Sequence, residues 1–426
     1  MSEEFVLYAL LMGVFLSYVL FFPYEPANGT SEKTNLEMDV LEDPVVPLRN
    51  STLAMRTARR GTRTLKNLWR LNNPFVSDSV EMQASYRRAT YEATAKVDDR
   101  AWGGIARAVA TAIRPLLSIR TAPDDVCTVT ADLRHISLNT SLAAVLKALF
   151  DMEDIPHETL SYLGSEIHRV TMDGKRHCMT AADPHEIPAD LRRAADSVIQ
   201  CLQRLFTNGR VSTELAQTLL YSISGTPDDF NPLNLLLPAF EAPWRTTLYT
   251  LLAILQPGPS KPEHLLALRD CPAVRPPDPK ALAIAYESLR LYPPIRRISR
   301  VSQKTTSIDI EAIQRDPARW GPSALRFDPG RFLTPDGQIR SCLLGPQQSA
   351  WIPFAVGTMK CPSARAFSTR MMVVVVGEIL RHLFPVECSP DWEMEGAAWD
   401  FPARAGETLR AGREEYQGVC VVSRYR

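Results

Sequence analysis

The sequence predicts a mainly α fold with small β-sheets, preceded by an N-terminal transmembrane helix. Three observations carry this expectation. Apolar residues recur at helical spacing in block after block from about residue 101, strand-like alternation is confined to a few short runs, and residues 5–22 form one uncharged apolar stretch.

The apolar stretch runs from Phe5 to Phe22, 18 residues without a charge, which is the length at which a segment becomes a membrane-spanning candidate. A cleaved signal peptide fits less well, because Glu3 and Glu4 replace a basic leader and no small-x-small site closes the run. Downstream positive residues (Lys33 and Arg49, then Arg56, Arg59, Arg60, Arg63, Lys66 and Arg70) favour a cytosolic body. Residues 1–22 are therefore expected to be an anchor. Residues 23–60, polar and proline-containing without a sustained period, are expected to be a linker, and residues 61–426 the globular body. On this topology the sequons at Asn28, Asn50 and Asn139 are never glycosylated.

Helical spacing marks 101–114, 140–151, 189–206, 212–224, 233–256, 279–292 and 364–384. Strand-like runs lie near Arg297–Val301, Ser307–Ile310 and Val419–Ser423, too few for a large sheet and too scattered for alternating strand–helix units.

Charge excludes one function class. Lysine plus arginine and aspartate plus glutamate both number 48, so no global field draws the chain to nucleic acid. The 8 cysteines stand singly, without a C-x-x-C pair or zinc-like spacing, and no disulfide framework is expected. His157, His168, His177, Cys178 and His185 are irregularly spaced in a stretch rich in loop residues, and read better as scattered surface histidines than as a metal site.

One cysteine has a distinctive setting. In Trp351-Ile-Pro-Phe354-Ala-Val-Gly357-Thr-Met359-Lys-Cys361-Pro-Ser363-Ala, a glycine-containing loop leads to a cysteine and then to a proline before a long apolar helix. With Pro362 at the first helical position, Cys361 would sit where free N–H groups and the positive helix end converge, a place that stabilises a thiolate. Gly357 would let the backbone approach a macrocycle closely. A buried free cysteine near a helix start is the plain alternative.

Phe354, Gly357 and Cys361 match three fixed positions of the haem-binding signature F-x-x-G-x-[RH]-x-C-x-[GA], and in this the chain resembles the cytochrome P450 family. Met359 stands where a basic residue usually meets a haem propionate, and Ser363 replaces a glycine or alanine. The resemblance extends to Glu287-x-x-Arg290 on an apolar helix stopping at Pro293-Pro294, and to the Arg326-Phe-Asp-Pro-Gly-Arg331-Phe332 segment, in the family's order. By spacing alone Glu287 and Arg290 could equally be a surface pair. The resemblance implies that Glu287, Arg290 and Arg331 form a buried triad holding the cysteine loop against the haem. Arg297 would be a second propionate partner or a solvated strand arginine.

The family's distal helix carries [AG]-G-x-[DE]-T, and the similar stretch here is Pro238-Ala239-Phe240-Glu241-Ala242. Glu241 keeps the acid and Ala242 replaces the threonine, while Pro238 and Pro243 would distort the helix. Glu241 is the implied proton relay, or else a helix acid paired with Arg245. Ala106–Leu117 and Asn231-Pro-Leu-Asn resemble filamentous-fungal members.

The resemblance implies a cytochrome P450 fold and a monooxygenase inserting one oxygen atom from O2 into an apolar small molecule, plausibly in secondary metabolism. Heme b would be the cofactor, Cys361 its axial ligand, and NADPH would act through a separate reductase, since the chain has no flavin or nicotinamide fingerprint. The expected location is a membrane, the endoplasmic reticulum in particular. A haem-thiolate isomerase or dehydratase that does not use O2, and a degenerate non-catalytic haem protein, are the competing functions.

Overall fold

The computed structural model describes residues 45–95, 97–121, 126–181, 186–207, 231–256, 261–340, 343, 346–364, 366–385, 391–396 and 416–425. The expected anchor at 5–22 and helix at 212–224 lie outside these residues. Among the described residues no helix is long and apolar enough to cross a membrane.

The main helices are α1 (Arg60–Trp69), α2 (Val80–Ala95) and α3 (Asp99–Ile113), followed by strands β1 (Ser118–Thr121) and β2 (Cys127–Asp132). Then come α4 (Leu133–Phe150), α5 (His157–Thr180), α6 (Ala189–Thr207), α7 (Leu233–Glu241), α8 (Pro243–Leu255), α9 (Lys261–Arg269) and α10 (Pro279–Leu291). Strands β3 (Arg297–Val301) and β4 (Thr305–Asp309), helix α11 (Ala366–Leu383) and strands β5 (Asp391–Glu395) and β6 (Cys420–Tyr425) complete the set.

Local chemistry sets several boundaries. Asp98 and Asp132 accept hydrogen bonds from Ala101 N and His135 N at 2.8 and 2.7 Å, satisfying donors that open α3 and α4. Helix α4 is buried along most of its length, as an apolar helix in the middle of a large core must be. One apolar cluster joins α3, α4, α5, α8, α10 and α11. Gly377 of α11 lets α9 come close: a Cβ there would meet Leu268 O at 2.8 Å.

The antiparallel sheet has the order β1-β2-β6-β5, with Val129 opposite Ser423 and Val421 opposite Met394, and β3 and β4 form a separate hairpin. β1, β2 and β5 were not visible as alternation in the sequence, since the first is exposed along its length and the last only half-buried.

Three further differences from the sequence-based expectation have physical causes. The stretch 23–60 is not all linker: Val46–Arg49 and Leu53–Thr57 are short helices, and Val45 and Leu48 are buried against Ile298, Ile310 and Ile352. The histidine-rich stretch is helix rather than loop for 157–180, and His168 is buried at 2% exposure instead of lying on the surface. The expected helix 233–256 is two helices, because Pro243 has no N–H to donate and its ring crowds the carbonyl four residues back, so the ladder stops at Glu241 and restarts with proline at its first position.

Candidate active site

Helix α10 places Glu287 and Arg290 on one face, and both side chains are fully buried. The contact is a two-pronged fork, with Arg290 Nε on Oε2 at 2.6 Å and Nη2 on Oε1 at 2.7 Å. Asp328 N donates to Oε1 at 2.9 Å, and Arg331 Nε lies 3.5 Å from the same oxygen. Burial pushes the Glu287 carboxyl upward, against the pull of Arg290, the Asp328 N–H and Arg331. Arg290 also donates to Gln314 O at 2.7 Å and lies over the Trp320 ring at 4.8 Å, while Arg331 is held by Ser323 Oγ at 2.8 Å. The three residues therefore meet as one buried group.

Gln314 links that group to the cysteine loop. Its Nε2 donates to Leu289 O and Arg290 O at 3.0 Å, and its Oε1 accepts from Ile352 N at 2.9 Å. The Phe354 ring, edge-on to Trp351, belongs to the same aromatic group as Tyr286 and Phe332.

Within the loop, Cys361 N donates to Phe354 O at 3.0 Å, and Lys360 N to Gly357 O at 3.2 Å. Gly357 has φ +72°, and a Cβ there would touch Arg49 Cα at 3.4 Å, so conformation and packing both call for glycine. The following helix does not begin at Pro362. It begins at Ala366, so Cys361 lies a turn away from the first helical N–H groups and the expected convergence on the sulfur is not formed. Instead the sulfur has a hydroxyl neighbour, Ser363 Oγ at 3.2 Å. The loop also faces α2: burial pushes the Tyr86 phenol up, and the nearby Cys361 adds to that shift.

Arg297 is an exposed strand residue paired with Asp309 at 2.9 Å. The buried arginine of β3 is Arg300, whose Nη2 contacts Met359 Sδ at 3.5 Å and whose Nε donates to Ser51 Oγ at 3.2 Å. Burial pulls its pKa down to about 10, and the charges of Arg56 and Arg59 pull in the same direction. Arg56 is itself buried, with its pKa lowered to about 10 by desolvation and its Nε left without a hydrogen-bond partner. Among the described residues no carboxylate pairs with Arg56, Arg59 or Arg300. Three clustered guanidiniums with no counter-ion among the described residues make a candidate anion site. The two propionates of a haem on Cys361 suit it in charge, and the residues present fit that group. The one trace of this cluster in the sequence is the density of arginines between 56 and 63, which does not single it out as a site.

Glu241 lies at the end of α7, beside the break at Ala242. Its Oε2 is 2.5 Å from Arg245 Nη2, and its main-chain oxygen also accepts from Arg245. Oε1 has no hydrogen-bond partner among the described residues and lies 3.7 Å from His168 Nδ1, too far for one. Burial favours the neutral carboxyl, yet the Arg245 guanidinium, helped by His168 and Lys175, holds it well below the usual carboxylate range. Burial lowers the pKa of His168, which meets Trp244 edge-on at 4.7 Å. Asn231 and Asn234 tie the start of α7 to the end of α1, through Asn231 Nδ2 to Trp69 O at 2.6 Å and Asn73 Nδ2 to Asn234 O at 2.9 Å.

Residues 282–395 match the family model described as Cytochrome P450. The chain is 28% identical over 214 residues to cytochrome P450 714C2 of Oryza sativa, covering 42% of this chain and 40% of that one. It is 28% identical over 121 residues to cytochrome P450 monooxygenase xanG of Aspergillus fumigatus, covering 25% and 22%. These matches thus span well under two thirds of the relatives' lengths. Among solved structures, the haem domain of a mutant cytochrome P450DA superposes with a TM-score of 0.59 at 16% identity, covering 90% of this chain and 85% of that one. A 6-coordinated cytochrome P450 from Thermus thermophilus superposes with a TM-score of 0.54 at 17% identity, covering 80% and 82%. The described residues have the cytochrome P450 fold, and the segment that carries the buried triad and the cysteine loop is the segment that matches the cytochrome P450 family.

Proposed function

We propose that this chain is a haem-thiolate monooxygenase, with Cys361 as the axial ligand of heme b, electrons from NADPH through a separate reductase, and an apolar small molecule as substrate. The observation that carries the reading is the pairing of the Cys361 loop with three clustered arginines, Arg56 and Arg300 buried and Arg59 half-buried, that have no carboxylate partner among the described residues. A bound haem would supply one-electron and dioxygen chemistry, to which an axial thiolate contributes electron density.

The chain's own residues have separable tasks. Glu287, Arg290 and Arg331, through Gln314, fix the loop that presents the sulfur. Arg56, Arg59 and Arg300 would hold the propionates. Glu241 Oε1, a carboxylate oxygen without a hydrogen-bond partner among the described residues, would serve the proton relay by accepting a hydrogen bond from its water and orienting it, next to the small Ala242. Cytochrome P450 monooxygenases of Aspergillus fumigatus and Petromyces alliaceus are among the relatives at 28% and 26% identity, and a secondary metabolite is the substrate class we favour. The uncharged run at 5–22 supports anchoring to the endoplasmic reticulum membrane with the body cytosolic. Sedimentation of the full chain with membranes, lost on removing residues 1–22, tests that part.

The chemical part is tested by NADPH and O2 consumption with a reductase and a candidate substrate. A hydroxylated product supports it, whereas turnover of a peroxide or dehydration without NADPH indicates an isomerase or dehydratase. Ala242→Thr is expected to raise the ratio of product to NADPH consumed, by restoring a hydroxyl able to hold the relay water.

A further inference from the structure

Ser363 follows the sulfur by two residues, at a position where the signature has glycine or alanine and so no side-chain donor. Its Oγ is 3.2 Å from Cys361 Sγ and 2.9 Å from Ser368 Oγ. Ser368 in turn folds back on Ser363, its Oγ 2.8 Å and its N 3.2 Å from Ser363 O. Among the described residues no other hydrogen bond reaches the sulfur.

The direction of these bonds follows from proton counting. A thiolate has no proton to give, so its contact with Ser363 is Oγ–H donating to sulfur. Ser368 has one hydroxyl proton, and both of its nearby acceptors belong to Ser363. Turned to Ser363 Oγ, that proton leaves the Ser363 proton for the sulfur; turned to Ser363 O, it leaves Ser363 a choice between Ser368 Oγ and the thiolate, of which the charged sulfur is the favoured acceptor.

We propose that Ser363 donates a hydrogen bond to the Cys361 thiolate, with Ser368 as its positioning residue, and that the pair raises the reduction potential of the iron bound there. The inference rests on the haem-thiolate reading above. A hydrogen bond draws negative charge from the sulfur and weakens its donation to the metal, which favours the reduced state over the oxidised one. The helix dipole does not do this work here, since α11 starts only at Ala366.

The test is a redox titration of the full chain loaded with haem, comparing Ser363→Ala, Ser363→Thr and Ser368→Ala. Ser363→Ala is expected to lower the equilibrium constant for one-electron reduction by about tenfold, which is about 59 mV toward more negative potential. Ser363→Thr keeps the parent value, Ser368→Ala falls between, and all three keep the carbon-monoxide band of a thiolate complex. An unchanged midpoint in Ser363→Ala overturns the proposal. Should that variant not take up haem, a lowered midpoint in Ser368→Ala supports the proposal and an unchanged one overturns it. Absence of the thiolate band from the unsubstituted protein is a different failure, which removes the haem-thiolate reading and this inference together.

Discussion

At the residue scale, Glu287 shows what burial demands. It is fully enclosed, and among the described residues its carboxylate is met by Arg290, Arg331 and the Asp328 N–H. Glu287→Ala leaves the Arg290 guanidinium uncompensated in the core and Arg331 with only the Asp328 carboxylate at 3.8 Å, a loss of ~3–5 kcal/mol. Chemical unfolding is expected to show that loss, together with release of haem, because Gln314 passes the triad's position on to the loop. Arg300→Ala is expected to weaken haem retention while leaving the fold's unfolding midpoint nearly unchanged without haem, since a guanidinium gathered with two like charges stabilises the empty site little. Haem transfer to apomyoglobin measures the first effect. These residues differ in how legible they were. Glu287, Arg290 and Cys361 belong to short local patterns with fixed spacing. Arg56, Arg59 and Arg300 come together only through tertiary packing, and β3 with the residue before it offers Arg296, Arg297 and Arg300 with nothing local to say which is buried.

At the scale of elements, α5 and the α7–α8 break are instructive. Leu160, Leu163, Ile167, Val170, Gly174 and Cys178 of α5 follow helical spacing and are all buried, but His168, Thr171 and two glycines share that face and dilute its hydropathy. The histidines therefore stand out in the sequence more than the periodicity does. His168 sits between α5 and α8 with its pKa lowered, first of all by burial. A histidine kept neutral in the fold makes no difference above its unfolded pKa of ~6.5, where both states are neutral. As pH falls below that value only the unfolded state binds the proton, and stability is lost until the folded pKa is reached. His168→Gln is expected to flatten the decline in stability between neutral and mildly acidic pH. The depressed Glu241 carboxyl acts at lower pH: its stabilisation is present above the unfolded carboxylate pKa and is lost as pH falls through the folded one, so Glu241→Gln should reduce the remaining acid sensitivity. At the contact of α9 and α11, Gly377→Ala sets a Cβ against backbone that cannot yield, and is expected to cost ~1–3 kcal/mol, read as a lower midpoint of chemical unfolding.

For the whole molecule, the helical character came through because long periodic blocks such as 279–292 need no partner to be recognised. The four-stranded sheet did not, since it joins segments around residues 118–132 to β5 and β6 nearly three hundred residues later, and such pairings have no local signature. The break at Pro243 was foreshadowed by the prolines, whereas the delayed start of α11 was not, because Pro362 is an ordinary first helical residue by local rules. What the molecule as a whole presents is one thiol loop, braced from α10 on one side and met on another by arginines from β3 and the segment before α1. The reduced carbon-monoxide spectrum of the full chain, with and without Cys361→Ala, tests that arrangement most directly. The account predicts a thiolate-type Soret band in the parent protein and its loss in Cys361→Ala. A parent protein that stays colourless when supplied with haem, or a band that survives the substitution, would contradict it.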